Sequence, residues 1–211
     1  MQKRLLRPFL LLLGICIGLP LFAQSVPQRR FEASVVGGAT ITQLDGDSLR
    51  GFRRWGGQGG LQVNYVFSDR WRAGIELLFS QHGSQRRDID DRNSADTDIE
   101  KININMVQAP LLVHFRDWKV GLTAGASYGN IINYEVIEVD GEDATEAHPL
   151  SEDVFSLILG GSFHFTNNLA LEIRWSRWLN SPYDEAAVDA NEATLIPWIG
   201  RAVTVRGAYR F

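Results

Sequence analysis

The stretch Trp71–Ser80, which reads WRAGIELLFS, is the clearest indication of the fold in the sequence. Its odd positions are all apolar, whereas its even positions are charged, polar or glycine, with Leu78 as the one exception. Successive side chains of a β-strand point to opposite faces, so this alternation predicts a strand with one apolar face and one polar face.

Seven further segments of the chain alternate in the same way. They span residues 31–41, 57–67, 101–115, 118–128, 155–165, 169–175 and 199–211. In segment 101–115 the apolar residues change from even positions, ending at Met106, to odd positions, beginning at Val107. Because an extra residue shifts the faces of a strand and Pro110 cannot donate to a ladder, we expect a β-bulge between residues 106 and 110.

The connections between these segments alternate in length. Three are tight turns near residues 68–70, 116–117 and 166–168, and four are long and polar, at about 43–56, 83–98, 130–153 and 180–197. Short turns on one rim and long loops on the other are typical of outer-membrane barrels, whose short turns face the periplasm. The sequence therefore predicts an all-β fold: an eight-stranded antiparallel up-and-down transmembrane β-barrel of OmpA or OmpX size.

Aromatic side chains are concentrated beside the predicted short turns and at the C-terminal end. They are Phe67, Trp71, Phe115, Trp118, Phe165, Tyr209 and Phe211. On the apolar face they would form a girdle at the periplasmic interface of the membrane. The last strand ends on Phe211, which is the kind of terminal signal that barrel assembly machinery recognises.

The N-terminal segment has the pattern of a signal peptide. A basic start with Lys3, Arg4 and Arg7 precedes an apolar run, and Ala23 offers a small residue for cleavage. We therefore expect a signal peptide at residues 1–23 and a barrel domain at 24–211. A retained membrane anchor and a lipoprotein modified at Cys16 are the alternatives, and bulky Ile15 disfavours the second.

Bulk composition excludes several classes of protein. With 211 residues, 45% hydrophobic and 22% charged, the chain is neither a disordered tail nor a helical membrane bundle. Cys16 is its only cysteine, so a chain cleaved after Ala23 has no disulfide and no cysteine nucleophile or metal ligand. Cleavage would change the formal net charge from −4 to −7, and this acidity argues against nucleic acid as a partner.

Charged residues at even positions are predicted to point into the lumen of the barrel. They are Glu32, Arg72, Glu76, Glu172, Arg174 and Arg206. The interior of an eight-stranded barrel is just filled by side chains, so we expect these charges to form an ion-pair network. A gated pore, in which the pairs rearrange, is the alternative. A soluble lipocalin-type barrel would turn the same charges outward, but the signal peptide, the girdle, the unequal loops and Phe211 favour the membrane.

Three patterns contain residue types that could carry chemistry, and none predicts a site. His82 and Ser84, with Asp88 nearby, suggest a lipid-modifying hydrolase only weakly. His114 and His164 face inward without a third metal ligand. The acidic runs at 88–98, 138–146 and 184–189 either form a solvated rim or recruit divalent cations to lipopolysaccharide phosphates. We therefore predict no enzyme, no catalytic residue, no metal site and no cofactor.

Segments 74–83, 106–115 and 120–126 together resemble the Bacteroidetes outer-membrane β-barrel family that includes PorT-like proteins. Gln108-Ala109 stands where that family usually has Glu-Ile before the proline. The resemblance implies an outer-membrane location and, for some members, a part in secretion or gliding machinery. We expect a structural, binding or envelope-complex role, with a small-solute channel as the alternative. The expected partners are outer-membrane lipid, lipopolysaccharide, the barrel assembly machinery and other envelope proteins.

Overall fold

The computed structural model of the protein describes residues 30–46, 51–86, 99–182 and 198–211. These residues form eight strands that close into a barrel in chain order. The strands are β1 (Phe31–Asp45), β2 (Arg54–Val66), β3 (Trp71–Gln85), β4 (Ile99–Asp117), β5 (Val120–Glu138), β6 (Asp153–His164), β7 (Leu169–Trp178) and β8 (Ile199–Arg210). No helix among the described residues has the length and apolar character needed to cross a membrane.

Each strand is antiparallel to the next, and β1 closes the ring by pairing with β8. The prediction of an eight-stranded antiparallel up-and-down barrel is confirmed. The connections at 67–70, 118–119 and 165–168 are short and lie on one rim, while the strand ends that the other four connections join lie on the opposite rim. We call these the short-turn rim and the long-connection rim. The turn after β4 is formed by Trp118 and Lys119, not by residues 116–117, and Trp118 has a left-handed φ of 54°.

A register shift does occur beside Met106, near the predicted bulge, but the prediction that β4 carries the extra residue is wrong. Even-numbered side chains of β4 face inward from Ile102 to Leu112, and Pro110 lies opposite Ser127 in an unbroken register. The pairing of β4 with β5 shifts instead between Asn105 and Met106, where the extra residue is Ile132 of β5. Ile132 and Asn133 are both exposed, so the bulge exchanges the faces of β5 and leaves those of β4 unchanged.

The apolar residues of β4 change from even to odd positions because the surroundings of the strand change, not because its backbone bulges. Near the long-connection rim the inward side chains are apolar, and the outward ones are polar and hydrogen-bonded across strands. Asn105 Nδ2 donates to Asn133 Oδ1 (2.8 Å), and Asn105 Oδ1 accepts from Gln81 Nε2 (3.2 Å). Towards the short-turn rim the pattern reverses, and outward residues such as Phe79 and Leu111 are apolar and exposed.

An apolar cluster fills the lumen towards the long-connection rim. Its buried members are Leu44, Ile99, Ile102, Ile104, Met106, Ile131, Val136, Ala144, Val154, Trp178 and Trp198. The connection between β5 and β6 folds onto this cluster, because Ala144 N donates to Val136 O and Val136 N donates to Thr145 Oγ1, both at 3.0 Å. The hydrogen bonds that Thr145 donates to the Asp143 carboxylate hold the pKa of that group below its usual value.

Aromatic rings surround the short-turn rim on the outside. Trp71 packs on Phe115 with ring centres 5.0 Å apart, and Tyr209 packs edge-on against Phe211 at 5.7 Å. The exposed aromatic residues on this rim are Phe31, Tyr65, Phe67, Trp71, Trp118, Phe163, Phe165, Tyr209 and Phe211, whereas Phe115 is half-buried. Phe31, Tyr65 and Phe163 were not among the predicted girdle residues.

Candidate functional site: the lumen and its short-turn mouth

Two carboxylates and two guanidiniums form a buried network in the lumen. Glu76 of β3 accepts paired hydrogen bonds from Arg174 (2.8 and 2.9 Å) and from Arg206 (2.7 and 3.1 Å). Glu172 lies 2.9 Å from Nη2 of each arginine. All four residues are at most 7% exposed. Bidentate charge-assisted contacts of this kind are among the strongest polar interactions that side chains make.

The network joins opposite walls of the barrel. β3, which carries Glu76, is four strands away from β7, which carries Arg174, in a closed ring of eight. Gln62 Nε2 of β2 adds a further hydrogen bond to Glu76 Oε1 (2.8 Å). The ion-pair network and the apolar cluster, which lies closer to the long-connection rim, together fill most of the lumen with side chains.

A second group of charges lines the mouth of the lumen at the short-turn rim. Glu32 accepts a hydrogen bond from Arg72 Nε (3.1 Å) and another from Arg210 Nη1, whose second amino group donates to Asn167 O. Arg116 Nε donates to Trp118 O at 3.0 Å. These side chains border a cavity of about 60 Å³ that also touches His114, His164, Asn64 and Glu172.

Two polar atoms at this cavity are buried without a hydrogen bond to any described residue. They are Asn64 Oδ1 and His114 Nε2. The other ring nitrogen of His114, Nδ1, lies 2.9 Å from Thr123 Oγ1. A buried polar atom without a partner costs free energy, so the mouth holds unused hydrogen-bonding capacity.

The structure does not assemble the His82 and Ser84 pair as a catalytic site. His82 Nε2 lies 3.2 Å from Ser80 Oγ, and Ser80 Oγ donates to Gln108 Oε1 at 3.0 Å. The Ser84 hydroxyl is buried and has no partner among the described residues. His82 is therefore not hydrogen-bonded to Ser84, and the Ser80 proton is directed to an amide rather than to a base. Asp88 lies outside the described residues.

His114 and His164 border the same cavity but are not joined by a third ligand. His164 Nε2 lies 3.4 Å from Ser162 Oγ. Within the described ranges, no three His, Cys, Asp or Glu residues are grouped closely enough to hold a metal ion.

The structure places all six sequence-predicted lumen charges inside the barrel, in two groups. Glu76, Glu172, Arg174 and Arg206 form the deep network, and Glu32 and Arg72 lie at the mouth. Sequence reasoning missed Arg116 and Arg210, although both occupy even positions like their neighbours in the lumen. It also missed Asn64, which comes close to His114 only because β2 and β4 flank Gly74 of β3.

Comparison with known proteins identifies what this barrel is similar to. The sequence model of the family described as "Outer membrane protein beta-barrel domain" matches residues 9–196. No curated protein matches the sequence.

Solved structures extend the comparison. Neisserial surface protein A has a TM-score of 0.51 and 11% identity, with 86% of this chain and 97% of that chain covered. The attachment invasion locus protein Ail of Yersinia pestis has a TM-score of 0.49 and 14% identity, with 85% and 98% covered. A major outer membrane protein from Thermus thermophilus has a TM-score of 0.49 and 16% identity, with 86% and 99% covered. At this identity, the likeness to the Neisserial protein shows a shared fold only.

Proposed function

The chain belongs to the family of outer-membrane β-barrel domains, and we propose that it is a non-catalytic envelope protein with a structural or binding role. Membership of the family implies an outer-membrane location. In such barrels the short turns face the periplasm and the longer loops face the exterior. The mouth that contains Arg116 then opens to the periplasm. The connection between β5 and β6, which contains Ala144, then lies on the outer side of the membrane.

The observation that carries the proposal is the filled lumen. A solute crossing the barrel would have to separate Glu76 from Arg174 and Arg206, and then pass the apolar cluster around Ile102 and Trp178. Separating buried ion pairs leaves uncompensated charges in a region of low dielectric constant, which is strongly unfavourable. These features support a closed barrel with a structural or binding role in the membrane, which we call the anchor role, rather than a channel.

The arrangement of His82, Ser80 and Ser84 supports a role without catalysis. A hydrolase nucleophile needs a base that accepts its proton and a surface that the substrate can reach. Ser80 and Ser84 are at most 1% exposed, and Ser80 donates to an amide oxygen. The measurement for the enzyme alternative is the lipid profile of cells that carry Ser84→Ala, which we expect to be unchanged.

Within this class, we favour a component of an envelope complex of the PorT-like type found in Bacteroidetes. The segments that carry the resemblance lie on three adjacent strands, β3, β4 and β5. The same proposal includes export through a signal peptide cleaved after Ala23, insertion by the barrel assembly machinery and contact with lipopolysaccharide. N-terminal sequencing of the protein from outer membranes tests the cleavage, since the mature chain would begin at Gln24.

Conductance in planar bilayers tests the anchor against the channel. We expect the refolded wild-type protein to show no discrete conductance steps, because the lumen is filled. Regular steps that disappear when the protein is omitted would contradict the proposal and favour the small-solute channel. Chemical cross-linking in intact cells, followed by mass spectrometry of the extracted protein, tests the envelope complex. Recovery of the barrel alone would argue against a complex and leave a solitary structural role.

A further inference from the structure

The periplasmic mouth has an excess of positive charge. Arg72, Arg116 and Arg210 surround the cavity, whereas Glu32 is the carboxylate that faces them. Glu172 also borders the cavity but is engaged by Arg174 and Arg206. This local excess stands in a chain whose formal net charge is −4. A concave site of one sign with low-dielectric walls concentrates ions of the opposite sign, so the mouth attracts anions.

Arg116 is the cation that the protein leaves available. Among the described residues its side chain forms one hydrogen bond, from Nε to Trp118 O, and no ion pair. Arg72 and Arg210, by contrast, share the Glu32 carboxylate. The terminal amino groups of Arg116 are therefore free to bind an oxyanion, and the planar guanidinium suits this by presenting parallel N–H groups.

Asn64 and His114 add a hydrogen-bond acceptor to the same cavity. A Cβ built on Gly74 would lie 2.3 Å from Asn64 Oδ1 and 2.8 Å from His114 Nε2, so both atoms face the space above this glycine. Asn64 is only 7% exposed, and its Oδ1 has no partner among the described residues. The amide oxygen can only accept a hydrogen bond, whereas His114 Nε2 can donate or accept according to its tautomer.

We propose that this mouth binds a phosphate group, supplied by inorganic phosphate or by a phosphate monoester in the periplasm. Arg116, assisted by Arg72 and Arg210, contacts the charged oxygens. Asn64 Oδ1 accepts the P–O–H hydrogen, which inorganic phosphate keeps at neutral pH and a monoester carries in its monoanionic form. The cavity of about 60 Å³ holds roughly four or five water-sized atoms, which matches a phosphate ion. Sulfate has the same shape but carries no hydrogen at neutral pH, so it satisfies the arginines and leaves Asn64 without a partner.

The phosphate site is a property beyond the proposed structural or binding role, and only its position on the periplasmic side rests on the orientation proposed above. A filled lumen and a phosphate site at its mouth are separate properties, because the site lies on the short-turn side of the Glu76 network. Conductance steps would overturn the anchor without affecting phosphate binding. Failure to bind phosphate would leave the anchor intact.

The histidines provide a direct readout of the site. The chain has four, of which His114 and His164 border the cavity, while His82 and His148 contact Trp178 and Trp198. We suggest recording the imidazole nitrogen resonances of the full mature protein in maltoside micelles, which contain no phosphate, at constant pH and ionic strength. Inorganic phosphate should shift His114 and His164 saturably, leave His82 and His148 unchanged, and bind more tightly than sulfate.

Charge variants test which side chains bind. Arg116→Gln should weaken phosphate binding by about tenfold or more, because a charge-assisted hydrogen bond is lost. Arg70→Gln is the matched control, since Arg70 lies on the same rim but pairs with Asp117 at 3.6 Å and does not border the cavity. Glu32→Gln should tighten binding, because it removes the carboxylate that competes for Arg72 and Arg210. Arg116→Lys, which keeps the charge but not the fork, replaces Arg116→Gln if the latter does not fold.

Titration with glycerol phosphate distinguishes the two sources of the group. Tighter binding of the monoester than of inorganic phosphate supports an esterified ligand, and the reverse supports free phosphate. Equal shifts at all four histidines, equal losses in Arg116→Gln and Arg70→Gln, or sulfate binding as tight as phosphate binding would each overturn the proposal.

Discussion

Glu76 and Arg174 stand on opposite walls of the barrel and meet across its lumen, with Arg174 Nη1 and Nη2 2.9 and 2.8 Å from the carboxylate oxygens of Glu76. Arg206 binds the same carboxylate from β8. Glu76 thus shares with Glu172 the neutralisation of two cations in a site removed from water. Without Glu76, two buried cations would face a single carboxylate.

Replacing Glu76 by Gln should therefore destabilise the barrel by about 3 kcal/mol, the lower end of the usual cost of removing one member of a buried ion-pair network. Urea unfolding in phospholipid vesicles, followed by tryptophan fluorescence, measures this difference. Glu32→Gln is the matched control, because the Glu32 side chain is 19% exposed at the mouth and its loss should cost less. Equal stability of Glu76→Gln and the wild type would show that the network does not contribute as described.

The connection after β5 should loosen in acid. Thr145 N donates to Asp143 Oδ1 (2.9 Å), and the hydrogen bonds from Thr145 lower the pKa of the Asp143 carboxyl below its usual value. A lowered pKa in the folded state means that the ionised form stabilises the connection at and above pH 4, and that this support is lost as the pH falls through the folded pKa. Exchange of the backbone amide hydrogens of Ala144 and Val136, corrected for the intrinsic dependence of exchange on pH, should accelerate only below about pH 4. In Asp143→Asn this step should be absent, and its persistence would assign it to another group.

The strands could be predicted from the sequence because each is buried on one face only. Along each strand the side chains alternate between the outer face and the lumen of the barrel. This period of two in the sequence marked all eight strands from β1 to β8. Two features escaped prediction. Trp118 takes a left-handed turn position that glycine or asparagine usually occupies, so no turn residue marked it. The change of polarity along β4 looks the same whether the backbone bulges or the surroundings change.

The candidate site was only partly predictable. The parity of strand positions placed Glu76 and Arg206 on the polar face, but it cannot tell which residues meet across a barrel. Asn64 and His114 can both face the same space because Gly74, on the strand between them, has no side chain. This arrangement follows only from the register of β2, β3 and β4.

The apolar cluster near the exterior rim should behave like the core of a soluble protein. Ile104 is 1% exposed, so Ile104→Ala should cost about 2–5 kcal/mol through the lost burial and the cavity left behind. Ile132 of the β5 bulge is 58% exposed, and Ile132→Ala should change stability by no more than about 0.5 kcal/mol. The same urea unfolding measurement compares them. Similar losses of unfolding free energy in both variants would contradict an apolar interior near the long-connection rim.

The membrane boundary on β3 and β4 should lie between two adjacent outward-facing rows of side chains. Phe79 pairs with Val107 in an apolar row, and Gln81 pairs with Asn105 in the next row, which is polar and hydrogen-bonded. Spin labels at cysteines placed at 79 and 107 should therefore be relaxed mainly by oxygen, and labels at 81 and 105 mainly by a water-soluble nickel complex. A label at Leu111, deep in the apolar face, is the control for full lipid exposure. Oxygen-dominated relaxation at 81 and 105 would place the boundary further out. In that case lipid, rather than water, would surround the polar ladder, and the change of polarity in β4 would need another cause.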